Sequence, residues 1–321
     1  LYWPTLIIMR KHMTTLPGYY EVEPEDCKFT DVTADVTHQC NMSCSNCYIP
    51  NRDVPDMDID KMLDCISRFP QRTMIRIMGA EPTMRNDLVD IIKRIRATGN
   101  RCTLLTNGLK LGSMRYTQSL RDAKLSHVYL SLNGVDNDDW YEEIDELRCA
   151  KIKVKALVNI KAARFIIDTG TILCKGINDD APSRLLHLFK EKEIEHAMIR
   201  FKNVGQHGRY LLESVDNWSI DDMIQMCADH FGITVDYINS WREKPIYGDH
   251  VEPDTFMFPI NENSEGKMLH RSGLWVKLAD WDSHGDTRPY PFMEQTRRGR
   301  ITEDFKVAPL PAHIVANEGG Y

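Results

Sequence analysis

No apolar run in this chain approaches the roughly 20 residues that a membrane-crossing helix needs. The N-terminal stretch Leu6–Met9 is too short for a secretory core, and no small-residue cleavage site follows it. Excess positive charge is also missing. The chain holds 40 Lys and Arg against 47 Asp and Glu, a net charge of −7, which leaves only local basic patches as a drive toward nucleic acid. Nor is there a disulfide framework, because nine cysteines in 321 residues form an odd, sparse set unlike that of small secreted domains. Internal repeats and low-complexity segments are absent. These absences predict a soluble, cytoplasmic chain with no membrane partner. Apolar residues at 42% and charged residues at 27% permit a substantial core and exclude disorder as the main state.

The order of segments predicts an α/β fold. Residues 1–28 read as an N-terminal extension, broken by Pro4, Pro17-Gly18 and Pro24. From Phe29 strand-like and helix-like segments alternate. Strands are expected at Phe29–Val36, Thr73–Met78, Cys102–Thr106, Val128–Leu132, Phe165–Cys174 and Ala197–Phe201. Helices are expected at Asp58–Phe69, from an Asn86 cap to Thr98, at Ser113–Ala123, Asp139–Leu147, Ala150–Ala163 and Pro182–Lys192, and from a Ser219 cap to Phe231. In Ala150–Ala163 the apolar face is assigned to Ile152, Ala156, Leu157, Ile160 and Ala163. Such alternation argues for parallel βα units with right-handed crossovers over residues 29–235. Residues 236–321 lose the rhythm, apart from a strand at Leu274–Leu278, and are expected to form an irregular C-terminal cap over the substrate.

Six cysteines are scattered singly among apolar residues, as small buried hydrophobes are. Cys40, Cys44 and Cys47 fall within eight residues, just after the first predicted strand. Thiolates are soft ligands suited to iron–sulfur clusters or zinc. A structural zinc site takes four protein ligands and an ordinary cubane four thiolates. Three thiolates would leave one iron of a [4Fe–4S] cluster open to a non-protein ligand. His38 is the competing fourth ligand for zinc, but only one residue separates it from Cys40.

The segment Cys40–Tyr48 resembles the cluster loop of the radical S-adenosylmethionine (radical SAM) superfamily. The similarity extends over about residues 29–205. Gly79, Ala80, Glu81 and Pro82 look like the family's Gly-Gly-Glu-Pro motif, with Ala80 in place of its second glycine. Leu104–Gly108 and Leu130–Gly134 look like the ends of its third and fourth strands, with Asn133 where an Asp is usual, and Leu173–Asn178 looks like the loop after the fifth. The resemblance implies a partial (β/α)6 TIM-type barrel and two cofactors, a [4Fe–4S] cluster and S-adenosylmethionine, with an external flavodoxin- or ferredoxin-type electron donor. Reductive cleavage of S-adenosylmethionine would give a 5′-deoxyadenosyl radical that abstracts hydrogen from a substrate C–H bond. Carried over by position, Cys40, Cys44 and Cys47 are the iron ligands. Tyr48, Gly79, Ala80, Glu81, Pro82, Asn107, Ser131, Asn133 and Arg200 are the cofactor-binding candidates, Glu81 for the methionine ammonium. Each has a plainer reading: a helix-capping acid for Glu81, turn chemistry for Asn107 and Asn133, an ion pair for Arg200.

No cysteine follows Cys227, which argues against auxiliary clusters and for a single-cluster enzyme. The C-terminal region interleaves basic and aromatic residues (Arg271, Trp275, Lys277, Trp281, Arg288, Tyr290, Arg297, Arg298, Arg300), a pattern that can cradle a nucleotide, while neighbouring Asp and Glu favour a solvated surface. His270, His284 and His313 are acid–base candidates there. The favoured substrate is a nucleotide or nucleic-acid base, with rearrangement of an attached amino-acid group as in phage base-modification enzymes. A free amino acid, small metabolite or peptide is the alternative. A non-catalytic iron–sulfur electron carrier and a degenerate binding protein are the remaining classes, which the Gly79–Pro82 motif and the intact cysteine triplet respectively oppose.

Overall fold

The computed structural model describes residues 20–45, 47, 49, 52–204, 217–244, 255–260, 273–280 and 297–310. Six parallel strands follow one another in the sheet: β1 (Asp31–Thr37), β2 (Met74–Gly79), β3 (Arg101–Thr106), β4 (His127–Ser131), β5 (Ile166–Leu173) and β6 (Ala197–Asn203). Helices α1 (Ile59–Ser67), α2 (Leu88–Ala97), α3 (Met114–Asp122), α4 (Asp138–Asp145), α5 (Ala150–Ala162) and α6 (Ala181–Glu191) fill the crossovers. Helices α7 (Ile220–Phe231) and α8 (Val235–Arg242) follow β6.

Local chemistry accounts for these boundaries. Asp58 caps α1 by accepting from the backbone N–H groups of Asp60 and Lys61, and Ser219 forms a capping box with Asp222 at the start of α7. The expected cap at Asn86 falls instead on Asp87, whose side chain makes no capping bond. On the strands, Val32, Ala34, Val36, Ile75, Ile77, Leu104, Val128 and Leu130 alternate toward the helices and join the main core with Ile66, Ile91, Ile95 and Leu120. The opposite face of the sheet is polar. Ion pairs there join Arg76 to Asp31 (2.5 Å), Arg200 to Asp168, and Arg300 to Asp35.

Two expectations need correction. First, the described part of residues 236–321 is not irregular. It forms β7 (Thr255–Pro259), β8 (Leu274–Ala279), β9 (Arg298–Ile301) and β10 (Val307–Pro309), and the order β10-β9-β1-β2-β3-β4-β5-β6-β8-β7 extends the sheet at both edges. β8 and β9 pair in parallel with β6 and β1, while β7 and β10 are antiparallel. The strand expected at Leu274–Leu278 is β8, while burial on both faces removed the alternation by which β7 would be read from sequence. Second, of the apolar face expected on α5, Ala156, Leu157, Ile160 and Ala163 are buried but Ile152 is not. Ile152 is 45% exposed, and Lys153 lies inside with Ala150, Ala156, Leu157 and Ile160.

Candidate active site

The carboxyl ends of the parallel strands share one edge of the sheet, where open α/β folds place their ligands. Residues after β1 through β5 meet there. Small polar residues (Asn41, Ser43, Ser45) let the chain turn tightly after β1. The Cys47 N–H donates to the Cys44 carbonyl (3.1 Å), and Ser45 Oγ donates to the Ile144 carbonyl (2.8 Å), which pins the loop on the last turn of α4. Met42 packs with Tyr141, Cys149 and Ala150, and Cys40 and Cys44 rest on the same group. All nine thiols are free. Cys40, Cys44 and Cys47 are partly exposed, whereas the other six are buried.

The turn after β2 lies beside this loop. The N–H groups of Ala80 and Glu81 donate to the carbonyls of Thr37 (2.9 Å) and Gln39 (3.0 Å). Gly79 has φ +128°, and a Cβ there would stand 2.2 Å from the Thr37 carbonyl oxygen, so the approach of the two chains requires glycine. Glu81 has no exposed surface. Its Oε1 accepts from the Thr83 N–H (3.0 Å), Thr83 Oγ1 (2.6 Å) and Thr106 Oγ1 (2.7 Å), and its Oε2 from the Asn107 N–H (2.6 Å). The carboxylate therefore ties the ends of β2 and β3 together and caps the 3-10 turn Pro82–Met84.

Asn107 reaches the cysteine loop directly, with Nδ2 2.8 Å from Asn41 Oδ1 and 3.9 Å from Cys40 Sγ. Ser131 ends β4, and its carbonyl accepts from Lys153 Nζ (3.1 Å). Asn133 is buried, donating to Asp145 Oδ1 (2.8 Å) and accepting from the Ile172 N–H (3.0 Å), so it braces β4 against β5 and α4. Arg200 forms an ion pair with Asp168, its Nε 2.7 Å from Oδ1. Against the burial that would raise it, the Arg200 guanidinium and His127 hold the Asp168 carboxyl well below the usual carboxylate range. Tyr48 lies outside the described residues, as do Arg271, Trp281, Arg288, Tyr290, His270, His284 and His313. Trp275, Lys277 and Arg300 are buried within β8 and β9, so these three do not lie on the solvated surface favoured for them. Two buried charges beside the loop, Lys153 and Asp145, were not foreseen. The signal was a lysine at helical spacing from Ala150 and Ala156, obscured by assigning that face to Ile152.

The loop's donor set fits an iron–sulfur cluster. Among the described residues no three Cys, His, Asp or Glu side chains gather around a point that a single ion could fill. A cubane asks for something else, one thiolate for each of several irons. Burial pushes the Cys40 and Cys44 thiols up, so they are protonated at neutral pH until a metal displaces the proton. Cys47 Sγ accepts from Arg52 Nη2 (3.2 Å), a cation suited to an anionic sulfur.

Residues 35–189 match the model of the radical SAM superfamily. Residues 35–189 therefore carry a radical SAM domain. Its cofactors are accordingly a [4Fe–4S] cluster and S-adenosylmethionine. A GTP 3′,8-cyclase of Staphylococcus aureus is 28% identical over 219 residues, covering 63% of this chain and 62% of that protein. A 7,8-dihydro-6-hydroxymethylpterin dimethyltransferase of Methanocaldococcus jannaschii is 29% identical over 204 residues, covering 58% of this chain and 40% of that protein. The chain thus spans less than two thirds of these curated relatives. Streptococcus suis SuiB bound to its precursor peptide SuiA shares the fold, with a TM-score of 0.61 at 15% identity over 99% of this chain and 67% of SuiB. Among the described residues no helix is long and apolar enough to cross a membrane.

Proposed function

We propose that Cys40, Cys44 and Cys47 bind three irons of the radical SAM cluster and leave the fourth for S-adenosylmethionine, making this chain a C–H-activating enzyme. When bound, cluster and S-adenosylmethionine together supply a 5′-deoxyadenosyl radical that removes hydrogen from the substrate. The observation that carries the reading is the contact of one loop, bearing the three partly exposed thiols, with the ends of β2 and β3 through Ala80, Glu81 and Asn107. The backbone of Gly79–Pro82, Asn107 and Ser131 border the space beside the thiols and hold the cofactor. Glu81 and Asn133 act one step back, by fixing Asn107 and the end of β4. Arg200 orders the polar inner face. A one-electron donor of the ferredoxin or flavodoxin type supplies the reducing electron.

For the substrate we favour a nucleotide or nucleobase. The named relatives act on GTP and on a hydroxymethylpterin, both nitrogen heterocycles, which supports this class over a free amino acid or peptide. Rearrangement of an amino-acid group on a base is the transformation proposed within it. Anaerobic reconstitution followed by dithionite and S-adenosylmethionine tests the enzyme reading. It should yield 5′-deoxyadenosine from the wild type and none from Cys44→Ala, whereas a cluster absorbance without cleavage would assign an electron carrier. Deuterium transfer into 5′-deoxyadenosine from a panel of labelled nucleotides, amino acids and peptides then tests the substrate class.

A further inference from the structure

Lys153 sits where an apolar residue belongs. It is wholly buried on the inner face of α5, with Nζ on the Ser131 carbonyl (3.1 Å) and 5.3 Å from the centroid of the Tyr141 ring. Tyr141 is itself buried in the small apolar group on which Cys40 and Cys44 rest. Asp145, at the end of α4, is 1% exposed. Its Oδ1 accepts from Asn133, but its Oδ2 is buried with no hydrogen-bond partner. The two charges do not form a direct ion pair among the described residues. Asp145 adjoins Ile144, whose carbonyl accepts from Ser45 Oγ (2.8 Å), and Lys153 lies over Tyr141, on whose group Cys44 rests, so both charges stand beside the Cys44 segment.

Burying an ammonium and a carboxylate without joining them costs several kcal/mol. A buried polar atom left unsatisfied calls for a reason, and a redox role is one. In a low-dielectric setting a charge acts strongly on its neighbours, and the potential of an iron–sulfur cluster follows the net charge around it.

We propose that Lys153 and Asp145 set the reduction potential of the cluster from behind Cys44, Lys153 favouring the reduced state and Asp145 opposing it. This rests on the reading of Cys44 as an iron ligand. The step concerned is the gain of one electron from a low-potential one-electron donor, which adds one negative charge to the cluster. The Lys153 ammonium stabilises that charge, and the Asp145 carboxylate destabilises it. No proton or leaving group is involved. Neither residue touches the reacting atoms.

An EPR-monitored redox titration of the reconstituted full chain, without S-adenosylmethionine, tests the pair. Lys153→Met should lower the midpoint, so that at the wild-type midpoint the reduced-to-oxidised ratio falls about tenfold, equivalent to about 59 mV for a one-electron couple. Lys153→Arg should restore the wild-type value, and Asp145→Asn should move it the opposite way. Opposite signs from two adjacent variants are not produced by loosened packing. Where Lys153→Met does not fold, the sign of the Asp145→Asn shift decides. Unchanged midpoints at full iron content, or shifts of the same sign, overturn the proposal. Retention of full iron and sulfide in Cys44→Ala would instead overturn the ligand reading beneath it.

Discussion

At Asp168 a single carboxylate shows how strongly one buried contact is bound to pH. Arg200 and His127 face it inside the sheet, and they depress its pKa despite full burial. A depressed carboxylate contributes stability above its unfolded value and loses it as pH falls toward the folded one. Asp168→Asn should therefore cost about 3–5 kcal/mol at neutral pH, as removal of one member of a buried pair does. That difference should stay constant above about pH 5 and shrink once the pH falls below about 4. Denaturant unfolding at a series of pH values measures it, and a difference independent of pH down to acid would contradict the assignment. At this scale the sequence was legible in part. The type and spacing of Cys40, Cys44 and Cys47 pointed to iron chemistry without any structure. What Glu81, Asn133 and Arg200 touch was not legible, since each has a ligand-binding and a bracing use that only partners such as Thr106, Asp145 and Asp168 separate.

Among elements, the join between the ends of β1 and β2 governs the site, because both the cysteine loop and the turn after β2 spring from it. Gly79→Ala would place a methyl group against the Thr37 carbonyl in a backbone region that alanine avoids. The expected loss is on the order of 2 kcal/mol or more in thermal stability, together with weakened S-adenosylmethionine binding. Gly99 also has a positive φ (+89°), yet a Cβ there meets nothing within 4 Å. Gly99→Ala should cost about 1–2 kcal/mol, from backbone strain alone, and leave S-adenosylmethionine binding unchanged. Equal effects of the two on binding would separate the turn from the cofactor site. All six central strands were foreseen, because β-branched runs between capped helices carry a strong pattern. On α5 only the exchange of Ile152 for Lys153 on the buried face was missed, because its apolar residues are so spread that the two compete for the core.

Over the whole molecule, the C-terminal strands finish the sheet that carries the site. β9 covers the free edge of β1, from which the cysteine loop emerges, and β8 covers that of β6. A chain ending at residue 244 would expose both edges and should lose cooperative thermal unfolding or associate through them. A truncated chain that melts as sharply and as high as the full one, by circular dichroism, would show that residues 245–321 are separate from the sheet that carries the site. Short strands such as β9 and β10, four and three residues long, carry too little periodicity to be read in advance. The partner that holds β9 in the sheet lies more than 200 residues away in sequence, as in the pairing of Asp31 with Arg298.

The most direct measurement is metal and sulfide analysis of the oxygen-protected chain, joined to EPR of its reduced form with and without S-adenosylmethionine. The expected result is four irons and four sulfides per chain and an EPR signal that changes when S-adenosylmethionine is added. Zinc in place of iron, or a cluster whose signal ignores S-adenosylmethionine, would contradict the central claim that three cysteines leave one iron open.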